Sequence, residues 1–438
     1  MTGRTLVVLA DRTEQSNAPE RAAASADPVA TAAPVRTVRH YRFRMPLHPA
    51  ALLRFYLTDL LVPHSRSGLV RAGLARAARN YPRIAAALLG ARQAAAPDPA
   101  GESTLHAALC RAGLAGADPA SITLEDYRQS ARGKSVAFVF DRGAEHPRLI
   151  AKSSADAAQS ARLAREQEVI RAIRAKVDAE IGGSLPEPLG RITTDRGEAY
   201  CERYLPGRSM YAEMRNGWMP RRHVQAQLGA AFGWLARFQQ ATKSGEVRIG
   251  DAGPTGPLAV LRNLRETSGL PPREEAFLAK VIRQAEDLAD ERLPIVAVHG
   301  DFWVRNLAVR PEGLAVFDWE NCSEQGLPFS DLLHFAITYG RSYPWTPGTW
   351  TDPVSAFNRT LDAGGWLGPV LSQHLQAYCR DMGLAPDLLK LAMPSFLAQR
   401  AMAERSECDD PAGPTGDGVW RRTFRAYVEL ARCASFGS

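Results

Sequence analysis

The chain has 438 residues, 45% hydrophobic and 23% charged, and a formal net charge of +7. That length allows two or three domains around a large core, and the composition is that of an ordinary globular protein. The positive charge comes almost wholly from arginine in an alanine-rich chain. There is no basic strand interleaved with aromatics and no recognition-helix pattern, so no nucleic-acid partner is expected.

In chain order, MTGRTLVVLADR carries a short apolar patch but no signal-peptide core or cleavage site. Residues 13–37, rich in Ala, Pro, Ser and Thr, read as a loose linker. Residues 47–94 have helical periodicity with arginine on the polar faces, divided by Pro63 into at least two helices. Their stripe of Leu52, Leu53, Phe55, Leu57, Leu60 and Leu61 reads first as core. Arg71, Arg76, Arg79 and Arg83 leave peripheral contact with an anionic membrane open. AAAPDPAGES (94–103) reads as a second linker. No run reaches the ~18 apolar residues of a membrane span. The cysteines show neither CxxC nor His-paired spacing. That argues against a zinc site or a disulfide framework and fits a cytoplasmic protein of open oligomeric state.

From about residue 120 the pattern changes. SVAFVF (135–140) alternates, with Val136, Phe138 and Phe140 on one face, and RLIAKSS (148–154) is a second strand carrying Lys152. ARLAREQEVIRAI (161–173) is helical. Glu166 falls in the arc of Leu163, Ile170 and Ile173, while Glu168 projects roughly opposite. A carboxylate on a buried face needs a cationic partner. LPEPLGRITTDRGEAYCERYLPGRSM (185–210) reads as strand, turn, strand and connection. HVQAQLGAAFGWLARFQQAT (223–242) and EEAFLAKVIRQAEDLAD (274–290) read as helices, with Trp234 and Phe238 in the core.

Two apolar runs then each end in an acid: IVAVHGD at Asp301 and GLAVFDWE at Asp318, with Asn306 five positions after the first. Phosphoryl transfer from ATP needs a carboxylate to orient the incoming hydroxyl and accept its proton. It also needs hard oxygen ligands for Mg²⁺. Asp301 suits the first role, Asn306 and Asp318 the second. The connection between the runs, with Pro311 and Gly313, reads as a hairpin-like turn.

HGDFWVRN followed by DWE resembles the aminoglycoside phosphotransferase and choline kinase-like family. The resemblance covers residues 120–340 well and 341–438 loosely; residues 1–119 do not match. It implies an α+β, bilobal protein-kinase-like fold with an antiparallel-sheet N-lobe and a mainly helical C-lobe. The expected division is an N-terminal extension (1–119), partly disordered and helical; an N-lobe with the hinge at its end (120–207); and a C-lobe with the catalytic loop and acceptor site (208–438).

The resemblance further implies a nucleotide-covering turn at SARGKS, with Gly133 and Lys134, and a Lys152–Glu166 pair at the α/β-phosphates. It implies a hinge where the Glu202 carbonyl and the Tyr204 N–H bond adenine. It casts Asp331, in GLPFSDLLHFAITYG (326–340), as a brace and helix cap, and His299 as a holder of the loop backbone. Glu320 could reach a second metal. The cofactors implied are ATP and Mg²⁺. The acceptor implied is a hydroxyl of an aminoglycoside, amino sugar, sugar or amino alcohol. Acids outnumber bases from residue 299 onward, with a cluster at SECDDP (406–411), which leans toward a cationic or polyhydroxylated acceptor. The alternative, a nucleotide-binding regulator, is opposed by the intact set of Lys152, Asp301, Asn306 and Asp318.

Overall fold

Alternating side chains on a pleated strand serve two faces, and in this protein both faces of one sheet are covered. The computed structural model describes residues 6–9, 37–40, 43–46, 50–61, 66–93, 99–116, 120–125, 134–194, 197–215, 219–253, 256–343, 353–361, 365–406 and 418–434. The linker expected at 13–37 therefore falls outside the described residues, except for Thr37. So do Pro63, Gly133 and the acidic run at 407–411.

The chain forms two units, Met1–Glu168 with Pro186–Pro206, and Val169–Leu185 with Gly207–Ser438. The first is built on a nine-stranded sheet. Its strands are β1 (Leu6–Leu9), β2 (Thr37–His40), β3 (Phe43–Pro46), β4 (Arg92–Gln93), β5 (Ala120–Glu125), β6 (Lys134–Phe140), β7 (Leu149–Ser154), β8 (Pro188–Thr194) and β9 (Gly197–Arg203). Their order is β4-β2-β3-β1-β5-β6-β7-β9-β8; only β1 and β3 pair in parallel.

The helices of this unit are α1 (Ala50–Phe55), α2 (Arg66–Ala77), α3 (Pro82–Leu89), α4 (Pro99–Arg111) and α5 (Ala157–Arg174), the last continuing into the second unit. On one face of β6, Phe138 and Phe140 pack with Leu52, Leu53, Phe55 and Leu57 from the N-terminal helices. Phe55 sits at 5.3 Å from Phe140 and 5.8 Å from Phe138, ring centre to ring centre. On the other face, Ala137 and Val139 pack with Ala108 and Leu109 of α4.

The described residues before 119 therefore share one unit with β5–β9. Their strands extend the sheet, and their helices share its apolar clusters, because β5 and β6 carry side chains on both faces that need covering. The stripe read first as core is core. Arg76, half-buried beside it, donates to the carbonyls of Leu57 and Leu61 at the end of a short π-helical turn. The linker expected at 94–103 is helical from Pro99 onward, with proline in the first turn, where its missing N–H costs nothing.

The second unit is mainly helical. Two small sheets, β10-β13-β14 and β11-β12-β15, use β10 (Arg208–Ser209), β11 (Gly245–Arg248), β12 (Arg292–Val298), β13 (Leu307–Arg310), β14 (Gly313–Val316) and β15 (Ser323–Gly326). The helices are α6 (Ala179–Gly183), α7 (Met210–Arg215), α8 (Arg221–Ala241), α9 (Pro257–Thr267), α10 (Pro272–Asp287), α11 (Ser330–Ser342), α12 (Pro353–Leu361), α13 (Leu367–Asp381), α14 (Leu388–Ser406) and α15 (Val419–Ala434). Trp234 and Phe238 of α8 stack at 4.8 Å and pack against Trp319 and Phe302, so both are core as expected. Among the described residues, no helix is long and apolar enough to cross a membrane.

Candidate active site

β12 ends in buried Val296, Ala297 and Val298, which fixes the direction in which the chain leaves the sheet. The next three residues, His299, Gly300 and Asp301, are held from behind by Asp331 in the first turn of α11. Its carboxylate accepts from the His299 N–H at 2.6 Å and the Gly300 N–H at 2.9 Å. Asp331 is fully buried. Desolvation raises its carboxyl to about 6, against the lowering effect of those two bonds. It braces the loop as expected but does not cap α11, whose N-cap position is Phe329.

His299 ties the same loop to the second acidic strand. Its Nδ1 accepts from the Asp301 N–H at 3.2 Å, so Nε2 carries the proton and donates to the Phe317 carbonyl at 2.8 Å. The ring is buried against Trp319 at 4.6 Å. Gly300 adopts φ +76°, and a Cβ there would lie 2.2 Å from the Asn321 carbonyl oxygen. Only glycine meets both conditions, which is why no side chain follows His299 in this loop.

The hairpin sets the other two residues. β13 and β14 pair from Arg310 with Gly313 to Leu307 with Val316, and the ladder closes with Phe317 N–H on the Asn306 carbonyl at 2.8 Å. Asn306 and Asp318 therefore lie at the same open end of the hairpin, six and eighteen residues after Gly300 in sequence. The Asn306 amide nitrogen donates to the Asp301 carbonyl at 2.8 Å and carboxylate at 3.0 Å. Asp301 keeps about 20% of its side-chain surface open, while Asn306 is fully buried. Asp318 is buried with φ +64°, a left-handed conformation rare outside glycine and concentrated at functional sites. Trp319 turns inward, its indole N–H on the Val316 carbonyl, and Glu320 lies in the following turn, half-buried.

An amide oxygen and a carboxylate are a hard donor pair. Among the described residues, no cluster of three or more His, Cys, Asp or Glu could hold a metal alone. A two-residue oxygen set suits an ion that completes its shell with phosphate oxygens and water, as Mg²⁺ does.

In the first unit, Lys152 of β7 is buried, with Nζ 2.7 Å from Glu166 and 2.9 Å from Glu202. Desolvation pulls its ammonium down, but the two carboxylates outweigh it, and the net shift is well upward. Burial raises the Glu202 carboxyl, with Lys152 opposing and Glu166 adding to the rise. Glu168 is exposed, on the far side of the helix from the pair. Lys134, the first residue of β6, is half-buried, and its charge acts on Glu202.

The hinge reading needs correction. The Tyr204 N–H expected for adenine donates to the Arg148 carbonyl at 3.2 Å, because the β7–β9 ladder continues past Arg203. The Tyr204 ring joins Phe55 and Phe138 in the apolar cluster. For Glu202, the side chain rather than the main chain is the distinctive group. Lys152 pairs with Tyr200 across the ladder, and Glu202, two residues along β9, projects from the same face. That alternation was the available signal for a second carboxylate at Lys152. Gln167, beside Glu166 on α5, donates to the Cys201 carbonyl at 2.8 Å and ties the helix to the strand.

Glucosamine kinase (crystal form A) is similar over 73% of this chain and 92% of its own, at 14% identity and TM-score 0.39. A thermostable mutant of aminoglycoside phosphotransferase APH(4)-Ia, in ternary complex with ADP and hygromycin B, is similar over 69% of this chain and 93% of its own, at 15% identity and TM-score 0.36. No curated protein matches the chain. Residues 126–368, more than half of the sequence, match the family described as the phosphotransferase enzyme family. The chain belongs to the phosphotransferase enzyme family and is a small-molecule phosphotransferase.

Proposed function

We propose that the protein transfers the γ-phosphate of ATP to a hydroxyl of a small polar molecule, with Asp301 as the base. The observation that carries this reading is the Asp301 carboxylate, held by the Asn306 amide at 3.0 Å on a loop braced by Asp331, yet open to an incoming group. The acceptor oxygen attacks the γ-phosphorus as the bond to the bridging oxygen breaks and ADP leaves. The proton passes to Asp301 late, because the transition state is loose. Asn306 Oδ1 and the Asp318 carboxylate would hold Mg²⁺, which when bound supplies charge neutralisation at the phosphates. Lys152, kept charged and oriented by Glu166, would meet the α/β-phosphates. Lys134 and the turn around Gly133 would cover them. A reaction drawing on ATP, in a chain whose described cysteines are all free, fits the cytoplasm.

The test is ADP release by the full chain with Mg-ATP and a panel of hydroxyl compounds. Wild type should show acceptor-dependent turnover. Asp301→Asn should lower kcat by about 10²-fold or more with ATP affinity nearly intact. Nucleotide binding without turnover of any acceptor would point instead to a regulator. Full phosphotransfer by Asp301→Asn would refute the base assignment.

A further inference from the structure

A helix pair that only covers a sheet turns its large apolar side chains inward and leaves its alanines outside. In α2 and α3 that order is partly reversed. Ala72, Ala75, Ala85 and Ala86 are buried, whereas Val70, Leu74, Tyr81 and Ile84 are 64, 51, 65 and 54% exposed. Among the described residues, these four are the large hydrophobic side chains that stand open, and all lie within residues 70–84. A single exposed apolar residue needs no explanation, but a cluster of them marks a contact surface.

The backbone beneath them is fixed. Val70 and Leu74 are one turn apart on α2, and Tyr81 and Ile84 one turn apart at the start of α3. The connection is closed by the Ala78 N–H on the Leu74 carbonyl at 3.0 Å and the Tyr81 N–H on the Ala78 carbonyl at 2.8 Å. Arg76 ties α2 to the carbonyls of Leu57 and Leu61.

The same stretch is basic. No acid occurs between Asp59 and Asp98. Arg71 follows Val70, Arg79 precedes Tyr81 by two residues, Arg83 precedes Ile84, and all three are exposed. A second copy of the chain on this face would bring those cations together, which costs free energy. The four apolar tips also fall short of the ~800 Å² a side that a stable protein interface buries. A lipid surface meets neither difficulty. Its phosphates suit guanidinium groups, and its acyl boundary covers apolar tips at any spacing.

We infer that the turn end of α2 and α3 docks on an anionic membrane surface. Val70, Leu74, Tyr81 and Ile84 enter the headgroup boundary, and Arg71, Arg79 and Arg83 meet lipid phosphates. The leucine stripe of α1 takes no part, because it faces the core. The inference is independent of the phosphotransfer reading.

Co-sedimentation of the full chain with vesicles tests it, using phosphatidylcholine alone or mixed three to one with phosphatidylglycerol. Wild type should bind the mixed vesicles at least about tenfold more tightly than the neutral ones, and more weakly as salt rises. Leu74→Ser with Ile84→Ser should weaken that binding about tenfold, and Arg79→Gln with Arg83→Gln by a similar factor. Thermal unfolding and AMP-PNP binding should match wild type in both pairs. Val70→Ser with Arg71→Gln gives an independent reading should either pair unfold early.

No binding to the mixed vesicles overturns the proposal. So does a loss in the arginine pair with none in the serine pair, which is adsorption by charge alone. A dimer in sedimentation equilibrium that the serine pair dissolves would assign the face to a second copy. Polyglutamate bound as tightly as the vesicles, and lost in the serine pair, would assign it to an acidic protein. Either result overturns the membrane reading.

Discussion

The side-chain amide of Asn306 donates to Asp301 twice, to its carbonyl oxygen at 2.8 Å and to its carboxylate at 3.0 Å. One residue thus orients the proposed base. Asn306→Ala should lose this hold and the proposed Mg²⁺ ligand, lowering kcat by about 10²-fold and raising the Mg²⁺ concentration needed for half-maximal rate. Asn306→Asp keeps an oxygen for the cation but sets a second carboxylate against Asp301. It should retain the Mg²⁺ response and still lose kcat. A titration in which Asn306→Asp matches wild type in kcat would refute the positioning role.

The buried Lys152 serves two carboxylates, Glu166 and Glu202. Lys152→Met would leave both without their cation and should destabilise the fold by about 3 kcal/mol in denaturant unfolding. In turnover, Lys152→Ala and Glu166→Ala should be strongly non-additive. Glu168→Ala, on the exposed side of α5, should stay within about 0.5 kcal/mol of wild type. Equal damage from Glu168→Ala would contradict the pairing.

Gly300→Ala combines a left-handed φ of +76° with a main-chain oxygen 2.2 Å from the new Cβ. The loop must move to relieve it, pulling the N–H groups of His299 and Gly300 off Asp331. The expected cost is about 2 kcal/mol or more of stability, with activity lost well before unfolding. A variant that folds normally and keeps its kcat would show that the loop has room the structure does not display.

Asp331 gives a pH signature with two opposite parts. Its carboxyl is raised from 3.8 to about 6 in the folded state, desolvation being the main cause. The folded protein thus binds this proton more tightly than the unfolded chain. The group's linkage contribution to stability is full below 3.8 and is lost as pH rises through about 6. Activity should run the other way, because protonation weakens the hold on His299 and Gly300, so kcat should fall as pH drops below about 6. Asp331→Asn should remove the acid limb and flatten its share of the stability profile, at lower kcat throughout. An unchanged acid limb in that variant would assign it to another group.

Phe55 is nearly fully buried among Phe138, Phe140 and Tyr204. Phe55→Ala should destabilise the first unit by about 3–5 kcal/mol. A chain beginning near residue 116 would bare Phe138 and Phe140 on one face and Ala137 and Val139 on the other, and should aggregate or melt early. A soluble, cooperatively folding truncation would show that the helices before residue 112 are accessory.

Most of the acid-bearing strands was legible because their chemistry is local. Asp301, Asn306 and Asp318 are close in sequence, and the hairpin that aligns them is short. Glu166 was legible because helical phase separates it from Glu168. What was not legible depends on long-range pairing. Residues before 119 carry no motif, and only register with β5 shows that they complete the sheet. The Tyr204 N–H was misread because a hinge resembles any strand end until one sees the ladder run on to Arg148.

The two units alternate along the chain. Val169–Leu185 belongs to the second although the first resumes at Pro186. Within that inserted stretch, Ser184 takes the Trp234 indole N–H on its hydroxyl and the Val316 N–H on its carbonyl. During synthesis, then, the first unit can close its sheet once Arg203 has emerged. The helical end of α5 and α6 must wait for Trp234 of α8, about thirty residues past Arg203, and for Val316, more than a hundred past it. Vectorial synthesis therefore leaves this stretch with apolar side chains such as Ile170, Ile173 and Ile181 temporarily uncovered. A nick or split placed near residue 206 would divide the chain without yielding two self-sufficient folding pieces.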